Sequence, residues 1–547
     1  MNILFISSEV APFAKTGGLG DVAGALPRYL RERGHDVRVV MPFYPRVRAP
    51  GRSFTEVLPT LPLALGPRRT GFSVVSAPLP GSDVPVYFVR APALFDRPSL
   101  YTSDADEPAR FAGFTWAALK TCQHLQWSPD IVHCNDWQTA LAPLALKTLL
   151  AWDRLFARTR TVLTIHNIGY QGSFGAAVLP ETGLGDAAQH FHQDQLREGR
   201  INYLLTGILY ADAITTVSPT YAREICTPEH GVGLDPFLRN RRDVLRGVLN
   251  GIDEAEWSPE RDARIPHRYA ADDLSGKERD KQELCRAMGL PYVARVPVVG
   301  VVSRMAWQKG FDLCFDVLPH TLRRRAMQVV VLGTGEEKYE RFFAQLADAF
   351  PRQVAYKRAF SEPFAHLIEA GSDLFLMPSR YEPCGLNQMY SLRYGTPPIV
   401  HRTGGLADTV RLWNPATRQG NGFIFDHFND GGLGWALHRA LETWGDGQAS
   451  TVRRGVSSSA TAWPSAPAGP SGWASTRPST RRWWGIGRRR AQIRRSATSS
   501  IWWLAPLVRM SFARCRVGRM FSRRLTRLMV SQRRLAVSSA SGSPSAA

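Results

Sequence analysis

A lysine and three glycines stand close together near the start of the chain, in the sequence KTGGLGD at residues 15–21. Lysine supplies positive charge, and glycines let the backbone approach a ligand closely. The stretch follows an apolar run at residues 2–7 and precedes a helix predicted over residues 22–33. Because a helix N-terminus carries partial positive charge and free N–H groups, the loop suits an anion. A plain glycine-rich connection with a solvated lysine is the alternative, since one such loop is weak evidence.

The second half of the chain repeats this arrangement with other cationic residues. An apolar strand is predicted over residues 296–303, and Arg304 and Lys309 lie in the loop that follows it, before a helix over residues 310–322. Arginine and lysine pair well with phosphate oxygens. Two such domains facing each other would form a cleft that holds a diphosphate between cationic walls. Ordinary surface charges are the alternative for both residues.

Both halves alternate between strand and helix patterns, which predicts an α/β fold with parallel sheets. Residues 2–41 form a βαβ unit, and later buried strands end at polar residues such as Asp136 and His166. Ligands of open α/β sheets bind beyond the carboxyl ends of the strands, where these polar residues cluster. The strand-like pieces at residues 72–77 and 84–90 predict a hairpin insertion.

Composition divides the chain into three parts. The pattern breaks near residue 248, so we predict a first domain over residues 1–248 and a second, truncated domain over residues 249–450. Residues 451–547 hold 19 Arg and no Lys, Asp or Glu, so they carry nearly all of the net charge of +21. The remaining chain is close to neutral, and we expect no nucleic-acid partner for it.

Two interpretations of residues 451–547 stay open. A basic tail with interleaved tryptophans is typical of nucleic-acid binding. A frameshifted reading of GC-rich coding sequence is the favoured interpretation, because the segment abruptly loses Lys and acidic residues and contains six tryptophans without an amphipathic period. This interpretation predicts a disordered segment that packs little against the core.

The seven cysteines are scattered and include no Cys-x-x-Cys pair, so neither a disulfide framework nor a zinc site is predicted. The N-terminus lacks the basic region of a signal peptide, and no run approaches the ~18–20 apolar residues of a membrane span. We therefore expect a cytoplasmic protein with no membrane partner.

Six motifs, all in family order, resemble those of bacterial glycogen synthase and plant starch synthase. They are KTGGLGD at 15–21, TIHN at 164–167, VLNGID at 248–253, SR and QKG within 303–310, PSRYEPCGL at 378–386 and RTGGLADTV at 402–410. The resemblance covers about residues 1–447. It implies the GT-B fold, in which two Rossmann-like domains face each other across the active-site cleft. It also implies transfer of glucose from ADP-glucose to the non-reducing 4-OH end of an α-1,4-glucan such as glycogen, with retention of configuration and without an obligatory metal or other cofactor.

The resemblance also implies roles for individual residues. Arg304 and Lys309 would stabilise the leaving diphosphate, while Glu382 would lie at the donor sugar. His166 is the fourth implied catalytic residue and would face the sugar 6-hydroxyl and anomeric region. The implied ADP-glucose contacts are Lys15, Gly17, Gly18, Asp21, Asn167, Asn250, Cys384, Gly385, Leu386, Thr403 and Gly404, with Asp136 and Trp137 as weaker candidates for sugar or acceptor contacts.

Three alternatives to this function stay open at the level of sequence. A relative could use another donor such as UDP-glucose, or a small acceptor. The basic segment could make the chain a nucleic-acid binder. A frameshifted gene could also yield an impaired enzyme, because in the family the end of the chain forms helices that complete the second domain. The retaining mechanism is open as well. Tyr390 stands eight residues after Glu382, where the wider superfamily often has a second Glu, so paired carboxylates are not supported.

Overall fold

Two large sheets, one in each half of the chain, form the framework of the structure, a computed structural model that describes residues 1–445. The predicted disorder of residues 451–547 lies outside the described residues. The predicted α/β class with two Rossmann-like halves is confirmed. The domain limits at residues 248 and 450 stay predictions.

The first half contains the following elements. Its strands are β1 (Asn2–Ile6), β2 (Asp36–Pro42), β3 (Thr55–Leu65), β4 (Arg68–Pro78), β5 (Pro85–Arg90), β6 (Ile131–Asn135), β7 (Arg160–Ile165), β8 (Ser173–Gly175), β9 (Arg200–Asn202), β10 (Ala213–Thr216) and β11 (Leu245–Gly247). Its helices are α1 (Gly18–Glu32), α2 (Pro92–Phe95), α3 (Glu107–His124), α4 (Ala142–Lys147), α5 (Gln193–Arg197), α6 (Tyr203–Tyr210), α7 (Pro219–Glu224) and α8 (Asp235–Asn240).

The second half follows the same alternation. Its strands are β12 (Val298–Val302), β13 (Gln328–Leu332), β14 (Val354–Lys357), β15 (Leu374–Met377), β16 (Pro398–His401) and β17 (Phe423–Phe425). Its helices are α9 (Ser275–Ala287), α10 (Cys314–Arg324), α11 (Glu337–Ala349), α12 (Glu362–Gly371), α13 (Asn387–Arg393), α14 (Gly404–Thr409) and α15 (Asp430–Gly445). Among the helices of residues 1–445, none combines the length and the apolar character that crossing a bilayer requires.

Strand order explains where a ligand can bind. The first sheet runs β11-β10-β7-β6-β1-β2-β5-β4-β3, and the second runs β14-β13-β12-β15-β16-β17. The chain reverses its direction of travel across the first sheet between β1 and β6, and across the second between β12 and β15. A doubly wound sheet opens a crevice at this point, because successive helices leave toward opposite faces. The pairs β3–β4 and β4–β5 are antiparallel, and they form the predicted insertion at one edge.

Apolar alternation along the strands builds the cores. In the second half, Val299 and Val301 face one apolar cluster, while Val298 faces a second cluster on the other side of the sheet. This period of two residues is what a sheet covered by helices on both faces requires. The sheets are thereby fixed on both sides, and their carboxyl ends remain free to carry functional loops.

Candidate active site between the two halves

A cavity of about 1030 Å³ lies where the carboxyl ends of the two sheets meet. Loops after β1, β6 and β7 form the wall from the first half, and loops after β12 and β15 form the wall from the second half. The cavity brings together most of the residues predicted from the sequence, namely Lys15, Gly17, Gly18, Asp21, Asp136, Trp137, His166, Asn167, Asn250, Arg304, Lys309, Glu382, Cys384, Gly385 and Leu386.

Glu9 holds the glycine-rich loop of the first wall. Its buried carboxylate accepts hydrogen bonds from the backbone N–H groups of Thr16 at 2.5 Å and Gly17 at 3.3 Å, and from the hydroxyl of Tyr101 at 2.6 Å. The Gly17 N–H is therefore already engaged, and an anion would meet the first N–H groups of α1 instead. Sequence reasoning missed Glu9, although its place just beyond β1 was a usable signal.

Lys15 carries the positive charge of this wall. Its Nζ lies 2.8 Å from Asp21 Oδ1 and 3.4 Å from Glu362 Oε1, which belongs to the second half. Burial alone would lower the pKa of Lys15, but the carboxylates of Asp21 and Glu362 outweigh it and raise the pKa. Burial raises the pKa of Asp21, and Lys15 offsets part of that rise. Lys15 therefore stays protonated and links the two walls.

Lys309 and Glu382 form the centre of the second wall. Lys309 Nζ donates to Glu382 Oε2 at 2.6 Å, and the hydroxyl of Ser379 donates to the same oxygen at 2.9 Å. Glu382 is only 6% exposed, so the pair operates largely out of water. Arg304 is exposed, and within residues 1–445 its guanidinium makes no ion pair. A charge-assisted contact with a bound anion is therefore open to it.

Thr403 and Gly404 lie behind this wall rather than on it. Glu224 Oε1 accepts hydrogen bonds from Thr403 Oγ1 at 3.2 Å and from the Gly404 N–H at 2.9 Å. Gly404 adopts φ +44°, and a Cβ there would overlap the carbonyl oxygen of Glu382. These two residues were predicted as donor contacts, but they line no part of the cavity. Their packing instead supports the loop that carries Glu382.

The hydrogen bonds around His166 define its protonation. Asn135 Nδ2 donates to the Ile6 carbonyl at 3.0 Å, which leaves Asn135 Oδ1 to accept from His166 Nε2 at 2.9 Å. Nε2 therefore carries the proton and Nδ1 keeps its lone pair. Burial lowers the pKa of His166 to about 3, with a contribution from His133. The imidazole is neutral at physiological pH, and Nδ1 can accept a hydrogen bond from a hydroxyl group.

Asp136 positions the segment that contains His166. Its Oδ1 accepts the backbone N–H groups of His166 at 2.6 Å and Asn167 at 3.4 Å. Burial raises the pKa of Asp136 to about 7, although both hydrogen bonds act against the rise. The Asn167 amide reaches across the cavity to Gln308 Oε1 at 3.4 Å. Asp136 thus serves as a backbone acceptor that shapes this wall.

Two predicted residues are largely buried, and one exposed residue was not predicted. Trp137 is 8% exposed and packs edge-on against Phe111 and Phe174. Burial raises the pKa of the Cys384 thiol to about 12, so it is no nucleophile at neutral pH. Phe360 is the opposite case, since it lines the cavity with 79% of its surface exposed and was not predicted. An exposed aromatic ring beside cationic groups offers a stacking surface for a nucleobase.

The sequence matches two family models in order. Residues 2–240 match the starch synthase catalytic domain, and residues 293–454 match glycosyl transferases group 1. The second match ends next to the change of composition near residue 451.

Similar proteins include glycogen synthases and a starch synthase. The chain is 47% identical over 460 residues to a glycogen synthase of Myxococcus xanthus, covering 82% of this chain and 93% of that protein. It is 44% identical over 444 residues to a glycogen synthase of Kosmotoga olearia, covering 81% and 91%. The solved catalytic domain of starch synthase IV from Arabidopsis thaliana, bound to ADP and acarbose, matches with a TM-score of 0.78 and 33% identity, covering 84% of this chain and 96% of that one. The predicted resemblance and the GT-B fold are confirmed, and the chain belongs to the glycogen synthase and starch synthase family of hexosyltransferases.

Proposed function

We propose that this enzyme transfers glucose from ADP-glucose to the non-reducing 4-OH end of an α-1,4-glucan such as glycogen, with retention of configuration. One observation carries the proposal. The cations Arg304 and Lys309 of the second half face Lys15 of the first half across a single cavity that also holds Glu382 and His166. A nucleoside diphosphate sugar is the ligand whose charge, length and hydroxyl groups this set matches.

The diphosphate is the part of the donor that gains charge during transfer. When the bond between the sugar C1 and the phosphate oxygen breaks, its electron pair leaves with the diphosphate. Arg304 and the Lys309 ammonium stabilise this charge, and each such contact contributes roughly 3 kcal/mol in the transition state. The exposed Phe360 ring stacks on the base, in keeping with the ADP bound to the Arabidopsis enzyme.

The sugar is held between Glu382 and His166. Glu382 is a carboxylate anchored by Lys309 and Ser379, so it can accept sugar hydroxyl groups and offset positive charge on the ring. His166 Nδ1 accepts another hydroxyl hydrogen, because the imidazole stays neutral. We assign front-face transfer, in which the new bond joins the acceptor O4 to C1. The acceptor proton passes to an oxygen of the leaving phosphate.

The acceptor enters from the side of the first half. Tyr170 lines the cavity with 53% of its surface exposed, and Gln171 lies beside it. An exposed aromatic ring with a polar edge suits a glucan, whose rings have apolar faces and hydroxyl rims. The proposal includes a cytoplasmic location, which the free cysteines of the described residues support.

Comparing donors tests the proposal. The purified enzyme should transfer glucose to glycogen with a kcat/KM at least about tenfold higher for ADP-glucose than for UDP-glucose, a difference of about 1.4 kcal/mol. A preference for UDP-glucose would refute the assignment. It would also be refuted if neither donor were turned over above a no-enzyme blank. An E382Q variant, matched in size but uncharged, serves as the inactive control.

A further inference from the structure

A second cluster of polar side chains lies beside Lys15, at the junction of the two halves. Glu362 and His366 stand four residues apart on α12, so they share one face of that helix. Glu256 comes from the loop that follows β11. One ligand atom from each of Glu256, Glu362 and His366 lies within 4.8 Å of the others. The sequence predicted no metal ligands, because Glu256 is distant in sequence from Glu362 and His366.

One ring nitrogen of the histidine in this cluster has no hydrogen-bond partner among the described residues. His366 Nδ1 lies 2.6 Å from Asp262 Oδ2, and that oxygen also accepts the hydroxyl of Tyr394 at 2.5 Å. Asp262 Oδ1 accepts the Arg264 N–H. Asp262 therefore acts as an acceptor throughout, so His366 Nδ1 is the donor, and in the neutral imidazole Nε2 bears a lone pair. Nε2 is fully buried and has no hydrogen-bond partner in the described part of the chain.

Leaving a buried imidazole nitrogen unsatisfied costs free energy, so Nε2 is a favourable position for a ligand. A histidine that donates one ring N–H to a carboxylate and presents the other nitrogen is the usual geometry of a metal ligand. The Trp257 ring stacks on His366 at 3.7 Å, which fixes the imidazole plane. One turn further along α12, both carboxylate oxygens of Glu369 are also buried, with no hydrogen-bond partner among residues 1–445.

We propose that Glu256, Glu362 and His366 bind one divalent transition-metal cation of the Zn²⁺ or Mn²⁺ class. One imidazole nitrogen with two carboxylates suits these ions, whereas Mg²⁺ and Ca²⁺ prefer oxygen ligands alone. The cation ties the loop after β11 to α12. It also competes with Lys15 for Glu362, so that occupancy of this site weakens the contact between Lys15 and the second half. Glu362 lines the same cavity as Arg304 and Lys309, so this site borders the proposed diphosphate contacts.

Titration of the metal-free protein tests the proposal independently of any sugar transfer. The full-length chain is treated with EDTA, dialysed and titrated with ZnCl₂ and, separately, MnCl₂ and MgCl₂ in a calorimeter. We expect one Zn²⁺ per chain, and at least about tenfold weaker binding in E256Q and in E362Q. E254Q is the matched control, since Glu254 lies two residues away and contacts Arg393 instead.

Titration of the H366Q variant tests the histidine ligand directly. This variant also loses the Trp257 stack and the Asp262 contact, so circular dichroism first checks that it folds. Co²⁺ bound to the wild-type protein should show visible absorption bands typical of nitrogen and oxygen ligands, and E256Q should lose or shift them. Absence of saturable binding at one Zn²⁺ per chain would overturn the proposal. Wild-type affinity in folded E256Q and E362Q would overturn it as well.

Discussion

Lys309 and Glu382 show how a single pair can serve both structure and chemistry. The Lys309 side chain is 19% exposed and the Glu382 side chain 8%, so their attraction is weakly screened by water. Lys309 therefore holds Glu382 in place in the ligand-free cavity and remains positioned to meet a diphosphate. The strand, loop and helix pattern predicted Lys309, and the resemblance implied Glu382. Neither predicted their contact, because 73 positions separate them.

Removing the Lys309 ammonium tests this dual role. We expect K309A to lower kcat by at least about 10²-fold, because a preorganised charge at the leaving group is lost. The same change leaves the buried Glu382 carboxylate without its cation, so the free energy of unfolding should also fall. K338A is the control, since Lys338 is half exposed and pairs with Asp312 on the surface. Near-normal kcat in K309A would contradict the assignment.

Asp136 gives a prediction about pH and stability. Its pKa is near 4 in an unfolded chain and about 7 in the folded protein, because burial disfavours the charge. Folding therefore takes up a proton between about pH 4 and pH 7, and the contribution of Asp136 to stability is lost as the pH rises through this window.

The D136N variant cannot take up this proton. Between pH 5 and pH 7 we expect its free energy of unfolding to fall less with pH than that of the wild type, by up to ~1.4 kcal/mol per pH unit. Urea unfolding at pH 5, 6, 7 and 8 measures the two slopes. Parallel slopes would show that the carboxyl of Asp136 is already ionised at pH 5.

At the scale of elements, the sequence predicted β1, α1 and β2 well because periodic apolar residues mark them. Its errors lie at glycines. The first helix was predicted from residue 22 but starts at Gly18, since glycine has low helix propensity and hides the true start. The helix predicted from residue 310 begins at Cys314, because Gly310 has φ +69° and lies against the Pro378 carbonyl.

The start of α14 supports the loop that holds Glu382, and Gly404 makes that support possible. G404A would force a Cβ onto the Glu382 carbonyl and strain a residue at positive φ. We expect a loss of at least about 2 kcal/mol in the free energy of unfolding and a reduced kcat. In G434A, on α15, the new methyl meets no atom of residues 1–445 within 4 Å, so that control should gain up to about 1 kcal/mol. Unchanged stability in G404A would show that the loop adapts freely.

At the scale of the whole molecule, contacts between the halves set the geometry of the cavity. Asp408 accepts the N–H and hydroxyl of Thr220 at 2.8 and 2.7 Å, and the Ser218 hydroxyl donates to the Pro383 carbonyl at 2.6 Å. Sequence reasoning found the two walls because each is a local pattern of strand, loop and helix. It missed these contacts, along with Glu9 and Glu224, because pairing between distant residues leaves no local periodicity.

The most direct measurement follows labelled glucose from the donor into polymer. The enzyme is incubated with ADP-[¹⁴C]glucose and glycogen, the polymer is precipitated, and β-amylase is then applied to release maltose from non-reducing α-1,4-linked ends. The proposed function predicts label in the polymer and nearly complete release of that label as maltose. Label that stays in the polymer after β-amylase, or no label in the polymer at all, would contradict it.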